Sequence, residues 1–299
     1  MSSIAYVTDE KMLEYHRLCR NKDILFWRLS SRKKFTDFRK GDLLFFFARP
    51  THSRRKGLVG YAHFDSVRRL SLKQMWDQFG TATGYDSKER LEDAITKAAK
   101  GPVPKQMSCL YLTDVVFFLS PIFPEEAGLE IPKNLESYCY LDRNNPKVTV
   151  EILQIAAERG IDLWSAAENT EPEVIFAQDE IRHKFAVICK EIGKESGSEK
   201  ERNLCSRLAK ERIAEDGWEM IRGSRTDCIK AEQDTVTIAL PYAVQANDRD
   251  LRIRELFGRM AMYRLMLEQY NVHQKIRFEL LGDHIPANIT EMVEQLNNE

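Results

Sequence analysis

The residues of this chain best suited to chemistry are clusters of basic side chains with aromatics between them. Arg32, Lys33 and Lys34, then Arg39 and Lys40, Arg54, Arg55 and Lys56, and Arg68 and Arg69 all fall within residues 11–73. That stretch holds 17 Lys and Arg against 5 Asp and Glu. Phe26, Trp27, Phe35, Phe38, Phe45, Phe46, Phe47, Tyr61 and Phe64 are interleaved with them. Basic side chains neutralise phosphates and aromatic faces stack bases, so the pattern suits a nucleic-acid surface. A solvated basic face over an aromatic β-core has the same pattern. Phe45 and Phe46 read as core either way.

Other constellations are weak. No GxSxG, P-loop, HExxH or HNH arrangement occurs, and the six His are scattered, with His52 and His63 flanking a loop. The six Cys form no CxxC, and His16 with Cys19 has no second pair to complete a metal site. No metal ligands and no cofactor are therefore expected. Free thiols, with no secretory pattern in residues 1–12, lead to the expectation of a reducing cytoplasm.

The chain has 299 residues and a net charge of −1, which at first argues against a nucleic-acid partner. The sum is an average over unlike parts. Residues 1–143 carry 24 Lys and Arg against 18 Asp and Glu, and the remainder carries 21 against 28. A basic module is joined to an acidic one, and the acidic one favours a protein partner. At 43% hydrophobic the chain can fill real cores, and no stretch approaches the ~20 apolar residues of a membrane helix.

The elements that must position these residues follow from periodicity and caps. Residues 4–8, 24–29, 42–48, 57–64, 110–119 and 138–142 read as strands. Asp9 caps a helix running to about 21; Leu72, Met75, Trp76 and Phe79 share a helical face ended by Gly80; Ser87 caps a further helix. Residues 144–160 form a helix, and residues 161–180 are polar and acidic, a linker or packing arm. Further on, residues 201–218 are a helix, 219–244 strands or a hairpin, and 250–270 a long helix apolar nearly all round. Residues 275–282 form a strand before a closing helix. A helix as apolar as 251–267 is expected to be buried, in a core or at a dimer seam.

The first 143 residues resemble the PUA-like superfamily, closest to EVE-type domains and their relatives fused to restriction nucleases. The matching pieces are a strand ending at Trp27, a turn at Lys40, Gly41 and Asp42 into an apolar strand, and a strand with Gly57, Gly60 and Tyr61. A helix with Ser71, Trp76, Phe79 and Gly80 follows, then the strands CLYLTDVVFFL and YCYLD. The resemblance implies a nucleic-acid reader that takes one modified base into a pocket. On that reading Trp27, Arg28, Ser30 and Ser31 lie near the pocket. Phe47, Tyr61, Trp76 and Tyr85 are further wall candidates, though the spacing of Trp76 says core. Arg32, Lys33, Lys34, Arg49, Arg54, Arg55 and Lys56 would meet phosphates.

The second half faintly resembles the PD-(D/E)XK restriction-endonuclease-like fold. The resemblance assigns Glu201 to a helix, Asp227 to the end of a strand, and Phe257, Gly258, Met262 and Tyr263 to the next helix. In an active member such carboxylates hold Mg²⁺. The strand 235–241 has neither the Glu nor the Lys of the motif and ends in Pro241. Glu232 and Asp234 are displaced ligands or turn residues.

The expected architecture is an α+β PUA-like/EVE-like β-barrel domain over 1–143 and a helical linker over 144–200. An α/β restriction-endonuclease-like domain over 201–299 completes it. The expected function is reading DNA, with a modified base, for a restriction or phage-defence system. The second domain would be degenerate and serve dimerisation or partner docking. The alternatives are an active Mg²⁺-dependent endonuclease using Glu201, Asp227 or Glu232, and an RNA-binding PUA-like protein.

Overall fold

A computed structural model describes residues 2–298 apart from 30–34, 36, 37, 51, 52, 133, 169, 195 and 244–247. The chain divides into two compact units, Met1–Ala177 and Gln178–Glu299.

In the first unit β1 (Ser3–Val7) leads into α1 (Glu10–Leu18), whose cap is the Asp9 carboxylate accepting from the Met12 amide at 3.1 Å. β2 (Ile24–Phe26), β3 (Leu43–Ala48), β4 (Gly57–Leu70), β5 (Met107–Ile122) and β6 (Tyr138–Tyr140) complete one mixed sheet. Its order is β2-β5-β4-β3-β1-β6, with β1 parallel to β3 and the other pairs antiparallel. Both faces are buried, which is why β3 reads as an unbroken apolar run rather than an alternation. One face carries Leu43, Phe45, Leu58, Tyr61 and Phe118, under α4 (Val148–Arg159). The other carries Ile4, Tyr6, Phe26, Phe46, Phe64 and Leu112. Each fully buried large side chain contributes about 1.5–3 kcal/mol relative to exposure.

The sheet rolls. Tyr6 of β1 and Phe26 of edge strand β2 meet edge to face with centroids 4.8 Å apart, although four strand positions separate them in the sheet. The expected barrel is not closed: among the described residues no ladder joins β2 to β6. At Gly60 the two long strands approach so closely that a Cβ would lie 2.4 Å from the Val116 carbonyl oxygen.

Between β4 and β5 the chain inserts α2 (Leu72–Phe79), a 3-10 turn over Gly80–Thr83, and α3 (Lys88–Ala99). Ser71 and Gln74 form a capping box on α2, and Ser87 caps α3. Met75, Leu91 and Ile95 seat these helices on Leu25, Leu70, Met107 and Cys109, with Trp76 packed beside them.

The second unit takes most of α5 (Pro172–Ile192), then α6 (Glu199–Arg212), β7 (Glu219–Met220), β8 (Cys228–Ala231) and β9 (Thr235–Pro241). α7 (Arg249–Gln269), β10 (Lys275–Leu281) and α8 (Ala287–Asn298) follow. Its sheet order is β10-β9-β8-β7, antiparallel except for the parallel β9–β10 pair that α7 connects. β9 alternates: Val236, Ile238 and Leu240 face Phe185, Met260, Tyr263 and Phe278, while Ala239 faces Leu208 and Ala209 of α6.

Two expectations change. Residues 144–200 are not a linker: α4 fills the first core, and α5 supplies Phe176 to the first core and Ile181, Phe185 and Ile188 to the second. α7 is not buried all round. Met260, Tyr263 and Leu267 are buried on one face, while Leu251, Met262 and Leu265 are exposed. Counted over these two compact units the charge contrast shrinks, to 26 Lys and Arg against 24 Asp and Glu in the first and 19 against 22 in the second.

Candidate nucleic-acid interface

In the first unit a cavity of about 930 Å³ opens between the end of β1, α1, the residues after β2, and α3. That volume lies in the range of small-molecule sites. Gly84 shapes one wall. It has φ +91, and a Cβ there would stand 2.4 Å from Cγ of Met12 and 3.1 Å from Nε2 of His16. Only glycine lets this turn lie so close to α1.

Tyr6, Tyr15, Phe26, Trp27 and Tyr85 give the cavity aromatic walls. Burial pushes both the Tyr15 and Tyr85 hydroxyls up to about 12, helped for Tyr85 by the Asp9 carboxylate, so both stay protonated at neutral pH. Trp27 follows β2 directly and leans on the α2–α3 cluster. Its indole Nε1 is buried with no hydrogen-bond partner among the described residues. An unmet buried donor costs about 1–3 kcal/mol, and in a cavity wall it is a place for a ligand acceptor. Lys11, Arg28, Arg90 and Lys97 bring positive charge; Asp9, Asp86, Asp93 and Glu136 bring negative. Asp86 accepts from Arg90 at 2.7 Å, and Asp9 is spent on its cap.

The structure therefore gathers three of the expected residues, Trp27, Arg28 and Tyr85, around one cavity. Tyr61 is not a wall residue. It is fully buried on the opposite face of the sheet among Phe45, Phe118 and Phe176, because the irregular pairing between Leu58 and Gly60 sets which way the strand faces. Phe47 is core as well. Arg49 and Arg54 are exposed and do not line the cavity. Arg55 pairs with Glu125 and lies 4.5 Å over the Phe123 ring, and Lys56 donates to the Leu135 carbonyl at 3.4 Å. Those two basic groups are partly spent on the protein itself. Ser30, Ser31, Arg32, Lys33 and Lys34 lie outside the described residues. Sequence reasoning missed Lys11, Arg90 and Lys97; the spacing of Arg90, Ala94 and Lys97 along α3 was the available signal, since it puts them on one helix face.

A second cavity, about 370 Å³, lies in the second unit and contains Glu201, Asp227 and Glu255 with Lys194, Arg252 and Arg259. Each carboxylate is turned to other partners. Asp227 accepts from Tyr263 Oη at 2.7 Å, Arg259 Nε at 2.7 Å and Thr226 Oγ1 at 2.9 Å. Burial nonetheless raises its pKa, against the pull of Arg259. Glu201 accepts from its N-cap amide at Ser198, and Glu255 pairs with Arg252 at 2.7 Å. Glu232 does not line this cavity; it pairs with Lys230 at 3.0 Å near the β8–β9 hairpin. Among the described residues no three His, Cys, Asp or Glu are grouped to hold a metal ion, and no helix is long and apolar enough to cross a membrane.

No family model matches the sequence, and no curated protein matches it. Among solved structures, a protein named ASCH from Zymomonas mobilis aligns at 10% identity and TM-score 0.35, over 51% of this chain and 94% of its own. Two single-substitution variants of that protein align at 11% and 10% identity, each with TM-score 0.36, over 54% and 53% of this chain and 100% and 96% of theirs. Likeness this distant does not carry fold or function from one chain to the other.

Proposed function

We propose that the first unit is a PUA-like nucleic-acid reader that draws one base out of its strand into the cavity beside Trp27. DNA carrying a modified base is the target. The observation that carries this reading is the buried, unpartnered indole N–H of Trp27 in an aromatic cavity wide enough for a nucleotide. A flipped base would offer a π-face to the walls and an acceptor to that N–H. The excess of basic residues over 11–73, including exposed Arg49 and Arg54, supports phosphate contact outside the cavity. A restriction or phage-defence setting rests on the sequence resemblance alone.

The second unit is proposed to act without cutting, through dimerisation or partner docking. What supports this is that the candidate ligand Asp227 is held by a guanidinium rather than left open to a cation. The contrary reading, Mg²⁺-dependent cleavage, is tested by incubating the protein with modified and plain DNA in Mg²⁺ or Mn²⁺. Cutting abolished by Asp227→Asn in a variant that keeps the wild-type thermal midpoint would support the enzyme and end the docking reading.

The reader is tested by competition among hydroxymethylated DNA, plain DNA and structured RNA at 50 and 200 mM salt. Preferred binding of modified DNA, weakening steeply with salt, is expected. Trp27→Ala should remove the preference and leave the salt-sensitive background. Preference for structured RNA would move the target to RNA; salt-indifferent binding would sink the proposal.

A further inference from the structure

Arg28 stands out among the described arginines of this chain. The residue is 8% exposed and buried, whereas Arg17, Arg159, Arg182, Arg252 and Arg259 are half-buried. Each of those five has a carboxylate within ion-pairing distance: Asp162, Glu126, Glu219, Glu255 and Asp227 respectively. Arg28 has none among the described residues. Its Nε donates to the Ser108 carbonyl at 3.3 Å and its Nη2 to Ser108 Oγ at 2.9 Å, and the guanidinium lies 5.0 Å over the Phe35 ring. Neutral oxygens and a ring orient the group without cancelling its charge. Buried charges are normally paired, because removal from water is otherwise uncompensated. Arg28 lines the same cavity as Trp27, its neighbour in sequence. The acidic residues that could have served it are elsewhere engaged or out of ion-pairing range: Asp86 holds Arg90, and Asp9 caps α1.

We infer that Arg28 is the binding group for an anionic oxygen of the ligand, so that the cavity takes a planar heterocycle bearing a phosphate or a carboxylate. This rests on the base-reading function proposed above and adds the ligand's charge to it. The heterocycle lies against the aromatic walls and gives an acceptor to Trp27 Nε1, while the oxyanion completes Arg28. A guanidinium already fixed by Ser108 loses little freedom on binding, and charge-assisted bonds of this kind are the strong ones.

The two sources of the anion are separated by calorimetric titration of the full chain. One arm compares a nucleoside 5′-monophosphate with the matching nucleoside. The other compares an oligonucleotide carrying one carboxylated base with the same oligonucleotide unmodified. One arm should show at least about tenfold tighter binding of the more anionic member, and Arg28→Gln should bring that ratio to within about twofold. Arg28→Lys, which keeps the charge, should retain part of the preference. Equal affinity within both arms for the wild-type chain would overturn the inference and leave base reading intact. Failure to bind any oligonucleotide would overturn base reading itself. Folding is controlled by the thermal midpoint without ligand. Arg28→Gln should match or exceed the wild type, since it relieves an uncompensated charge; a fall of about 5 °C or more would make Arg28 a structural residue and overturn the inference.

Discussion

Arg259 donates from Nε to Oδ2 of Asp227 at 2.7 Å and holds its Nη2 2.7 Å from the same oxygen, so a guanidinium stands where a cation would have to bind. Tyr263 Oη shares the same oxygen at 2.7 Å. Asp227 is 1% exposed, so this is a buried ion pair whose two halves depend on each other.

Arg259→Met should destabilise the second unit by about 3–5 kcal/mol, because it leaves the Asp227 charge buried without its partner. The deficit should depend on pH. Asp227 has a folded-state pKa above its unfolded one, so its ionised form costs stability. That cost is absent below the unfolded value, near 4, and grows as pH rises through the raised folded value. Loss of Arg259 raises the folded value further and steepens this dependence. Urea unfolding at several pH values checks both points; a deficit that is flat with pH would contradict them. The double variant Arg259→Met with Asp227→Asn should recover much of the loss.

His16 gives the opposite slope in the first unit. It is fully buried, and burial lowers its pKa to about 4 from 6.5. The unfolded chain therefore binds a proton between those values that the folded chain refuses. Stability present above pH 6.5 is lost as pH falls toward 4, by about 3 kcal/mol in all. His16→Gln should flatten that acid limb, read by denaturant midpoints across the same range. Nε2 of His16 faces Gly84, so the acid transition should also loosen the cavity wall, visible as weaker ligand binding below pH 5 than carboxylate titration alone produces.

Gly84→Ala tests the wall directly. The new Cβ meets Met12 at 2.4 Å in a left-handed backbone region that alanine disfavours. A loss of about 1–3 kcal/mol is expected, together with weaker nucleic-acid binding as the turn moves off α1. Thermal melts and binding isotherms on one preparation show whether the two effects travel together.

Trp27→Phe separates stacking from hydrogen bonding. Phenylalanine keeps a ring in the wall and removes a donor that has no partner in the free protein. The free protein should lose little stability from the missing N–H, whereas base preference should fall by about 1–3 kcal/mol if a ligand acceptor meets it. Unchanged preference would mean that only the ring matters.

Much of this architecture follows from local sequence. The capping box at Ser71 with Gln74 and the apolar run of β3 act over a few residues, so α2 and β3 lie where their sequence places them, whereas α6 starts at the Ser198 cap and stops at Arg212, short of the expected 201–218. Trp27 and Tyr85 are candidates through the resemblance to PUA-like domains, and Trp27 also through its place among the basic clusters of residues 11–73. Tertiary structure alone decided the rest. Whether Tyr61 faces the cavity or the core depends on pairing irregularities against β5, which a single strand's alternation does not encode. Whether a basic residue stays available depends on partners distant in sequence: Arg55 is taken by Glu125, Arg259 by Asp227, and Arg28 by no carboxylate described. α5 reads as polar at its start yet serves two cores, because burial belongs to what lands on a helix face and not to the helix. Caps and periodicity are short-range and survive in sequence; facing, pairing and charge neutralisation are set by contacts that only the folded chain makes.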